Sequence, residues 1–471
     1  MKQLFKKIWK PLLLVAPLAI GMLGFWREGE PFLQALFNCV CMYALNYQEV
    51  PANILIEISR WLAPLATASG LVLILSSLRQ WFLSFAARCT GESVAVYGVE
   101  PEKGEVLKQL GIRSIPMDRE LVKAKRYILL GTEKENLAFY HKNQEILSKR
   151  DVFLKCQSLP AQASNLAKLH LFCPEETAAR FFWDQYCPYE LSCQRDHKLR
   201  IVILGFDKLG KELLLQALQN NIFAPSQKIE YHIFGEAGSF YAVYQQIQQI
   251  TDPVTIDPRP WYEKMELLRE ADMIVVAQQE NQMQLLRELT MALPGKSIYA
   301  LSPEPNGTGM LPGVICFDWV AMAYRPEHIL GSRLYHYAKK INLRYAHLYS
   351  GVEENQKNLE QQWLALDTFT RYSNISAADY HSVQRKMMES EGWDAPLKPE
   401  NLERLAHLEH IRWCRYHYLN NWTYGIPENG KNKDAKLRIH VDLRPYESLP
   451  EGEKEKDREN VRLLLQLDKE Q

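Results

Sequence analysis

Near the C-terminus, Arg412, Arg415, Arg438 and His440 stand among Trp413, Trp422, Tyr424 and Tyr446. Guanidinium and imidazole groups give charge-assisted hydrogen bonds to an anion, and flat rings give stacking. Together they could close a small pocket for an anionic ligand. A plainer use stays open: the aromatics as a module's core, with Glu409, His410, Arg412 and His440 in caps and buried hydrogen bonds. A second candidate is the turn Gly205-Phe-Asp-Lys-Leu-Gly210. It follows an apolar run and opens a helical pattern, the setting of a GxGxxG dinucleotide turn. There the middle glycine lets a pyrophosphate reach backbone N–H groups at a helix N-terminus. Here that position is Asp207, and the acidic residue expected after the second strand falls at Glu236, later than usual. An NAD-like nucleotide bound at Gly205, Asp207, Gly210 and Glu236 is the expectation this turn carries. A third set, Asn46, Gln48 and Glu49, could form polar or acidic rings that favour cations.

Catalysis has no comparable signal. The chain shows no nucleophile elbow, zinc motif, Walker A loop or carboxylate pair in a catalytic context. The nine cysteines are scattered, without CxxC spacing, so neither a structural metal nor a disulfide framework is expected. Fifty-six basic residues balance fifty-six acidic ones, which leaves no global footprint for nucleic acid. The expectation is a protein that is not an enzyme.

The elements that must hold these residues begin with an apolar N-terminus. Residues 8–26 and Trp61–Leu78 are long enough to cross a bilayer, and uncharged Pro31–Leu45 between them has the length of a re-entrant half-span. Lys2, Lys6, Lys7 and Lys10 on one side, with Arg79 and Arg88 on the other, place both ends in the cytoplasm. The expectation is a multi-pass protein of the inner membrane with its C-terminal domains in the cytoplasm. The half-span ends without a glycine, so Asn46, Gln48 and Glu49 mark either a non-selective filter or a loop of a plain anchor.

From residue 93 short β-rich runs alternate with helical stretches, which predicts parallel sheets with helices on both faces. Strands are expected at Ser93–Gly98, Tyr127–Leu130, Val152–Lys155 and Lys168–Phe172. The cycle restarts at Leu199–Gly205, with later strands at Glu230–Phe234, Met273–Ala277 and Ser297–Ala300. The fold class is thus α/β with a membrane α-helical hairpin: two Rossmann-like doubly wound units, then a small, mostly helical module. The boundaries are 1–88 for the hairpin, 92–195 and 197–325 for the Rossmann-like units, 326–395 for a helical connector, and 396–471 for the module. In the connector, Tyr337, Ile341, Tyr345 and Leu348 share one helical face and read as packing.

Two tandem α/β units behind a pore-like hairpin resemble the TrkA-N, or RCK-type, domains of ligand-gated potassium channel subunits. The resemblance implies a cytoplasmic ring of nucleotide-binding domains that pulls on a pore helix, and a homo-oligomer. The C-terminal segment is similar to the RyR domain, first known from ryanodine receptors. The likeness rests on Leu405-Ala-His-Leu-Glu-His-Ile-Arg-Trp413, Asn421-Trp-Thr-Tyr-Gly425, His440-Val-Asp-Leu-Arg-Pro-Tyr446, and the Leu449-Pro-Glu start of a charged tail. In this resemblance Arg412, Trp413, Trp422, Tyr424, His440 and Tyr446 are the candidate ligand contacts. The resulting expectation is a ligand-responsive, ion-channel-like membrane protein with an RyR-like sensor. A non-conducting anchored sensor or scaffold, or a membrane-permeabilising defence effector, stays as the alternative.

Overall fold

Several large apolar side chains of the N-terminal helices are exposed, while Phe25, Met42 and Ile56 share the interior with small and polar residues. In a computed structural model of the protein, the described residues are 2–68, 94–98, 114–157, 168–302, 311–330, 333–393, 397–428 and 430–469. The chain divides into two units, Met1–Val94 with Glu120–Ala124, and Ala95–Arg119 with Lys125–Gln471. The first contains α1 (Lys2–Arg27), α2 (Phe32–Tyr43) and a helix at 54–68. Trp26, Phe32, Leu33, Phe37 and Trp61 are each 62–77% exposed, whereas Ser59 is 1% exposed and Asn38 is buried. Ser59 Oγ donates to the Pro17 carbonyl at 2.7 Å, and Asn53 Nδ2 to the Gly24 carbonyl at 3.0 Å. A Cβ on Gly21 would stand 2.7 Å from both Cys39 Sγ and Ser59 Oγ, so this helix pair needs glycine there.

The half-length element is as expected. Its 12 residues in α2 span about 18 Å at 1.5 Å per residue, short of a hydrocarbon core of about 30 Å. The two full spans fare differently: no helix among the described residues is long and apolar enough to cross a membrane. The second expected span, Trp61–Leu78, leaves the described residues after 68, and the helical stretch expected at Glu105–Gly111 lies outside them.

The second unit opens with a sheet in the order β1 (Val94–Tyr97), β2 (Arg126–Leu129), β3 (Asp151–Lys155), β4 (Leu169–Phe172). The pairings β2–β3 and β3–β4 are parallel, and Ile115 bridges Tyr97 in parallel. Helix α3 (Pro174–Gln185) follows.

Next come β5 (Lys198–Leu204), α4 (Lys208–Asn220), β6 (Lys228–Phe234), β7 (Val254–Asp257), β8 (Met273–Val276), β9 (Ile298–Ser302) and β10 (Val314–Asp318). All six strands are parallel, in the order β10-β9-β8-β5-β6-β7. Counted from β5 this is 3-2-1-4-5-6 in reverse, the doubly wound Rossmann order, with its switch point beside β5. Ile201, Val202, Ile203 and Leu204 are at most 1% exposed, because a central parallel strand is covered on both faces. The mixed α/β class is therefore observed.

Helices α5 (Arg333–Ser350), α6 (Thr368–Glu391), α7 (Pro399–Leu419) and α8 (Glu451–Lys469) complete the chain, with a short helix Gln356–Ala365 before α6. Within the expected helical connector the chain breaks at Leu366, because Asp367 caps a new helix, accepting from Thr370 N at 2.7 Å. Tyr337, Ile341, Trp363, Ile375, Leu463 and Leu464 share one core. The connector and the last helix of the module thus fold as one helical body.

Candidate functional site

The helical body encloses a cavity of about 720 Å³, within the usual range for small-molecule sites. Four helices and the segment 431–442 line it. Helix α7 starts with Pro399 in its first turn and ends where Asn421 takes φ 59°, letting Trp422 N donate to the His417 carbonyl at 2.9 Å. That chain reversal leads to a small sheet of β11 (Thr423–Tyr424), β12 (Lys433–Asp434) and β13 (Ile439–His440). Strand β13 pairs parallel with β11 and antiparallel with β12, placing Lys433 opposite His440 at the cavity wall.

Trp413, from the middle of α7, lines the cavity with its ring 5.0 Å from His440 and 4.0 Å from His417. His410 Nε2 faces the Arg444 carbonyl at 2.9 Å, and its Nδ1 faces Asp457 at 3.5 Å. Two acceptors call for two N–H donors. Burial opposes that charge, but the Asp457 carboxylate outweighs it and raises the His410 pKa to about 11. His440 moves the other way, down to about 4, through burial first and then Lys433 and Lys456. Its Nδ1 accepts from Asp442 N at 3.1 Å, as a neutral ring can. Lys433 and Lys456 thus both act on the His440 end of the cavity.

Of the six ligand contacts read from sequence, the cavity brings together Arg412, Trp413 and His440. Arg412 is not a free donor: Nε and Nη2 hold Glu409 at 2.9 and 2.7 Å, and Nη1 donates to Ser376 Oγ at 3.1 Å. With both side chains at 2–3% exposure, this is a structural ion pair. Trp422 is buried core stacked on Phe369, and Tyr446 is buried with its hydroxyl on Glu403. Tyr424 is 54% exposed and not on the cavity. Arg415 is turned to Asp252 of the second Rossmann unit at 2.7 Å, and Arg438 holds the Asn420 carbonyl at 3.1 Å. The aromatics are thus divided between core, wall and surface, and the arginines are structural.

Sequence reasoning missed Tyr345 and Tyr349 of α5 and Lys456 of α8, all on the cavity. Tyr345 was visible in the aromatic stripe of the connector. Tyr337 and Ile341, its first half, are buried as expected, but Tyr345 and Leu348 are 50% and 41% exposed. Lys456 sat in a charged run that read as solvated.

The glycine turn gives a different outcome. Gly205 ends β5 and Glu236 follows β6, so both reach the C-terminal edge at the switch point. Asp207, however, caps α4 with its own carboxylate, accepting from Leu209 N at 3.0 Å and Gly210 N at 3.2 Å. Those are the N–H groups a pyrophosphate would use. Gly205, φ 101°, and Gly210 keep the close approaches of the fingerprint: an added Cβ would lie 2.5 Å from Gln278 N and 2.0 Å from the Gly205 carbonyl oxygen, respectively. Of the expected set Gly205, Asp207, Gly210 and Glu236, it is the Asp207 carboxylate that stands against an NAD-like dinucleotide, because it takes up the N–H groups. Asn46, Gln48 and Glu49 do lie together, exposed in the loop between α2 and the helix at 54–68.

Among the described residues no cluster of three or more potential ligands could hold a metal. The geometry defines a small helical module, built around a cavity and anchored on a Rossmann unit. Residues 398–467 of that module match the RyR domain family. No curated protein matches the chain. Among solved structures, a GsuK channel is similar over 70% of this chain and 98% of its own, at 12% identity and a TM-score of 0.35. A dipicolinate synthase chain from Bacillus halodurans is similar over 49% of this chain and 94% of its own, at 10% identity and a TM-score of 0.22. Likenesses at those scores carry no argument about function.

Proposed function

We propose that the chain is a ligand-responsive, ion-channel-like protein of the inner membrane, acting as a homo-oligomer. Its N-terminal hairpin sits in lipid, and its cytoplasmic Rossmann units and RyR domain respond to a small anionic ligand. The observation that carries this reading is the set of large apolar side chains left exposed on the first unit. Water-soluble helices hide most of their Leu, Phe and Trp; here Trp26, Phe32, Leu33, Phe37 and Trp61 are exposed, while Ser59 and Asn38 lie inside beside Phe25, Met42 and Ile56. Small residues at helix contacts and hydrogen-bonded polar groups between helices are what a lipid solvent favours. The sensing half rests on the 720 Å³ cavity.

The test is ion flux through liposomes holding the purified full chain, with and without a small-molecule extract of cells. Extract-dependent flux supports the reading. An intact oligomer that passes no ion under either condition leaves the anchored, non-conducting sensor. One observation favours that second reading: in the loop after α2 the positive φ belongs to Leu45, at 57°, and no glycine is present to shape a carbonyl filter.

A further inference from the structure

Along α5, burial changes sharply over two turns. Tyr337 and Ile341 are 8% and 7% exposed in the shared core, whereas Tyr345 and Tyr349 are 50% and 46% exposed, yet both line the cavity. Their ring centroids are 4.6 Å apart. The Lys456 ammonium stands 5.5 Å from the Tyr349 centroid and is fixed by Glu453 at 2.7 Å. Tyr345 and Tyr349 thus keep half of their surface open to the cavity, with Lys456 beside the Tyr349 ring.

The charges on the wall select the ligand's sign. Glu409 is held by Arg412 and by Asn460 Nδ2. Asp457 is held by His410, Glu459 by Arg344 at 3.5 Å, and Asp434 accepts from Lys436 N and Leu437 N. Glu453 is held by Lys456, and Asp442 lies 3.7 Å from His440 and 3.9 Å from Arg444, so the wall carboxylates have partners within the protein. Lys433 makes no ion pair with a carboxylate among the described residues, and it lies opposite His440. Asn342, Ser373 and Asn374 add neutral donors and acceptors between the two ends. An acyl chain would strand those amides, and a free phosphate would leave the tyrosine faces and most of the volume unused. A planar ring, a polar middle and an anionic end match the walls.

We propose that Tyr345 and Tyr349, which lie outside the matched RyR segment, are the stacking platform for the base of a nucleoside phosphate whose phosphate end meets Lys433 and Lys456. The RyR domain then supplies one wall of the site and the connector sets its selectivity. This inference rests on the cavity being the sensing site.

Calorimetry on the detergent-purified full chain tests it, with ADP, GDP and UDP, adenosine and inorganic phosphate as probes. At least one nucleotide should bind, with its nucleoside or phosphate alone weaker by about tenfold or more. Since stacking is worth about 1–3 kcal/mol per base, Tyr345→Leu with Tyr349→Leu should weaken that nucleotide by about tenfold or more. Tyr345→Phe with Tyr349→Phe keeps the rings and should stay within about threefold of wild type, which separates stacking from a folding defect. Lys433→Gln with Lys456→Gln should bring the nucleotide down to the affinity of the nucleoside. Equal binding of nucleotide and inorganic phosphate, wild-type affinity in the leucine pair, or no nucleotide binding at all would overturn the proposal. If the nucleotides fail but an extract still raises the melting temperature of wild type and not of Trp413→Ala, the sensing reading survives without the nucleotide. If the extract also fails, both fall.

Discussion

Replacing Arg415 with Met should unlock the RyR domain from the second Rossmann unit. The Arg415 and Asp252 side chains are 3% and 0% exposed, with Nη2 to Oδ2 at 2.7 Å. Arg415 Nη1 also donates to the Leu218 carbonyl at 3.1 Å, at the end of α4. Asp252 takes two further bonds, from Ile229 N and Gln227 Nε2, each at 2.8 Å. Methionine fills a similar volume but leaves the carboxylate buried with only those two neutral donors. Breaking a buried pair from one side costs about 3–5 kcal/mol, whereas removing both charges is often nearly neutral. Arg415→Met should therefore destabilise by about 3–5 kcal/mol, and Arg415→Met with Asp252→Asn by much less, giving a coupling of about 2 kcal/mol or more in a double-mutant cycle. Urea unfolding of the full chain, followed by tryptophan fluorescence, reads this out, because Trp413 and Trp422 report on the module and Trp183 on the Rossmann side. A single variant that loses under about 1 kcal/mol, or a double variant as unstable as the single, would refute the reasoning.

Glu212, 8% exposed, has its pKa raised to about 7 by burial first and then by the nearby Glu176 carboxylate. Because the folded value lies above the unfolded one, its contribution is full below pH 4.5 and is lost as pH rises through 7. Urea unfolding from pH 4.5 to 8 should show a loss of up to about 3 kcal/mol more in wild type than in Glu212→Gln, and parallel curves would remove Glu212 from the account. Asp207→Ala removes the cap of α4 and should cost about 1 kcal/mol. It also frees the Leu209 and Gly210 N–H groups, so any NAD binding should appear in the variant and be absent from wild type; NAD titration followed by tryptophan fluorescence checks this. Gly24→Leu would force a side chain where even a Cβ stands 2.7 Å from Ile56 Cγ1. It should disrupt the first unit, seen as new protease cuts before residue 68, while the urea midpoint of the second unit stays unchanged.

What was legible from sequence follows from where each signal comes from. Strand β5 was clear because a central parallel strand must be apolar on both faces, which gives an unbroken run ending at a glycine. Strands β7 and β10 escaped notice: they are edge strands of 4 and 5 residues, partly exposed, and β7 lies between Pro253 and Pro258. Glu409 and Arg412 were read as caps and buried hydrogen bonds as the plainer use, and they form a buried i,i+3 ion pair. Nothing local ties Arg415 to Asp252, which lies far away in the chain. The stripe on α5 carried the correct period, but period alone cannot say where a buried face ends. That is decided by Leu463 and Leu464, which cover Tyr337 and Ile341 and stop short of Tyr345.

The cap at Asp207 and the pair at Arg412 bear on one question: what a Rossmann unit does once its nucleotide turn is closed. Capped by its own side chain, α4 has its first N–H groups satisfied without a ligand. Its 13 residues form a rod of about 20 Å. At the far end Gln219 Oε1 accepts from Ser376 Oγ at 3.1 Å, and Ser376 Oγ in turn accepts from Arg412 Nη1 at the cavity wall. Leu218, one residue before, offers its carbonyl to Arg415. Helix α7 therefore grips the end of α4 through two arginines, one on the cavity and one beside it. A shift of α7 as the cavity fills would therefore reach α4 first at this end, through Ser376 and the Leu218 carbonyl.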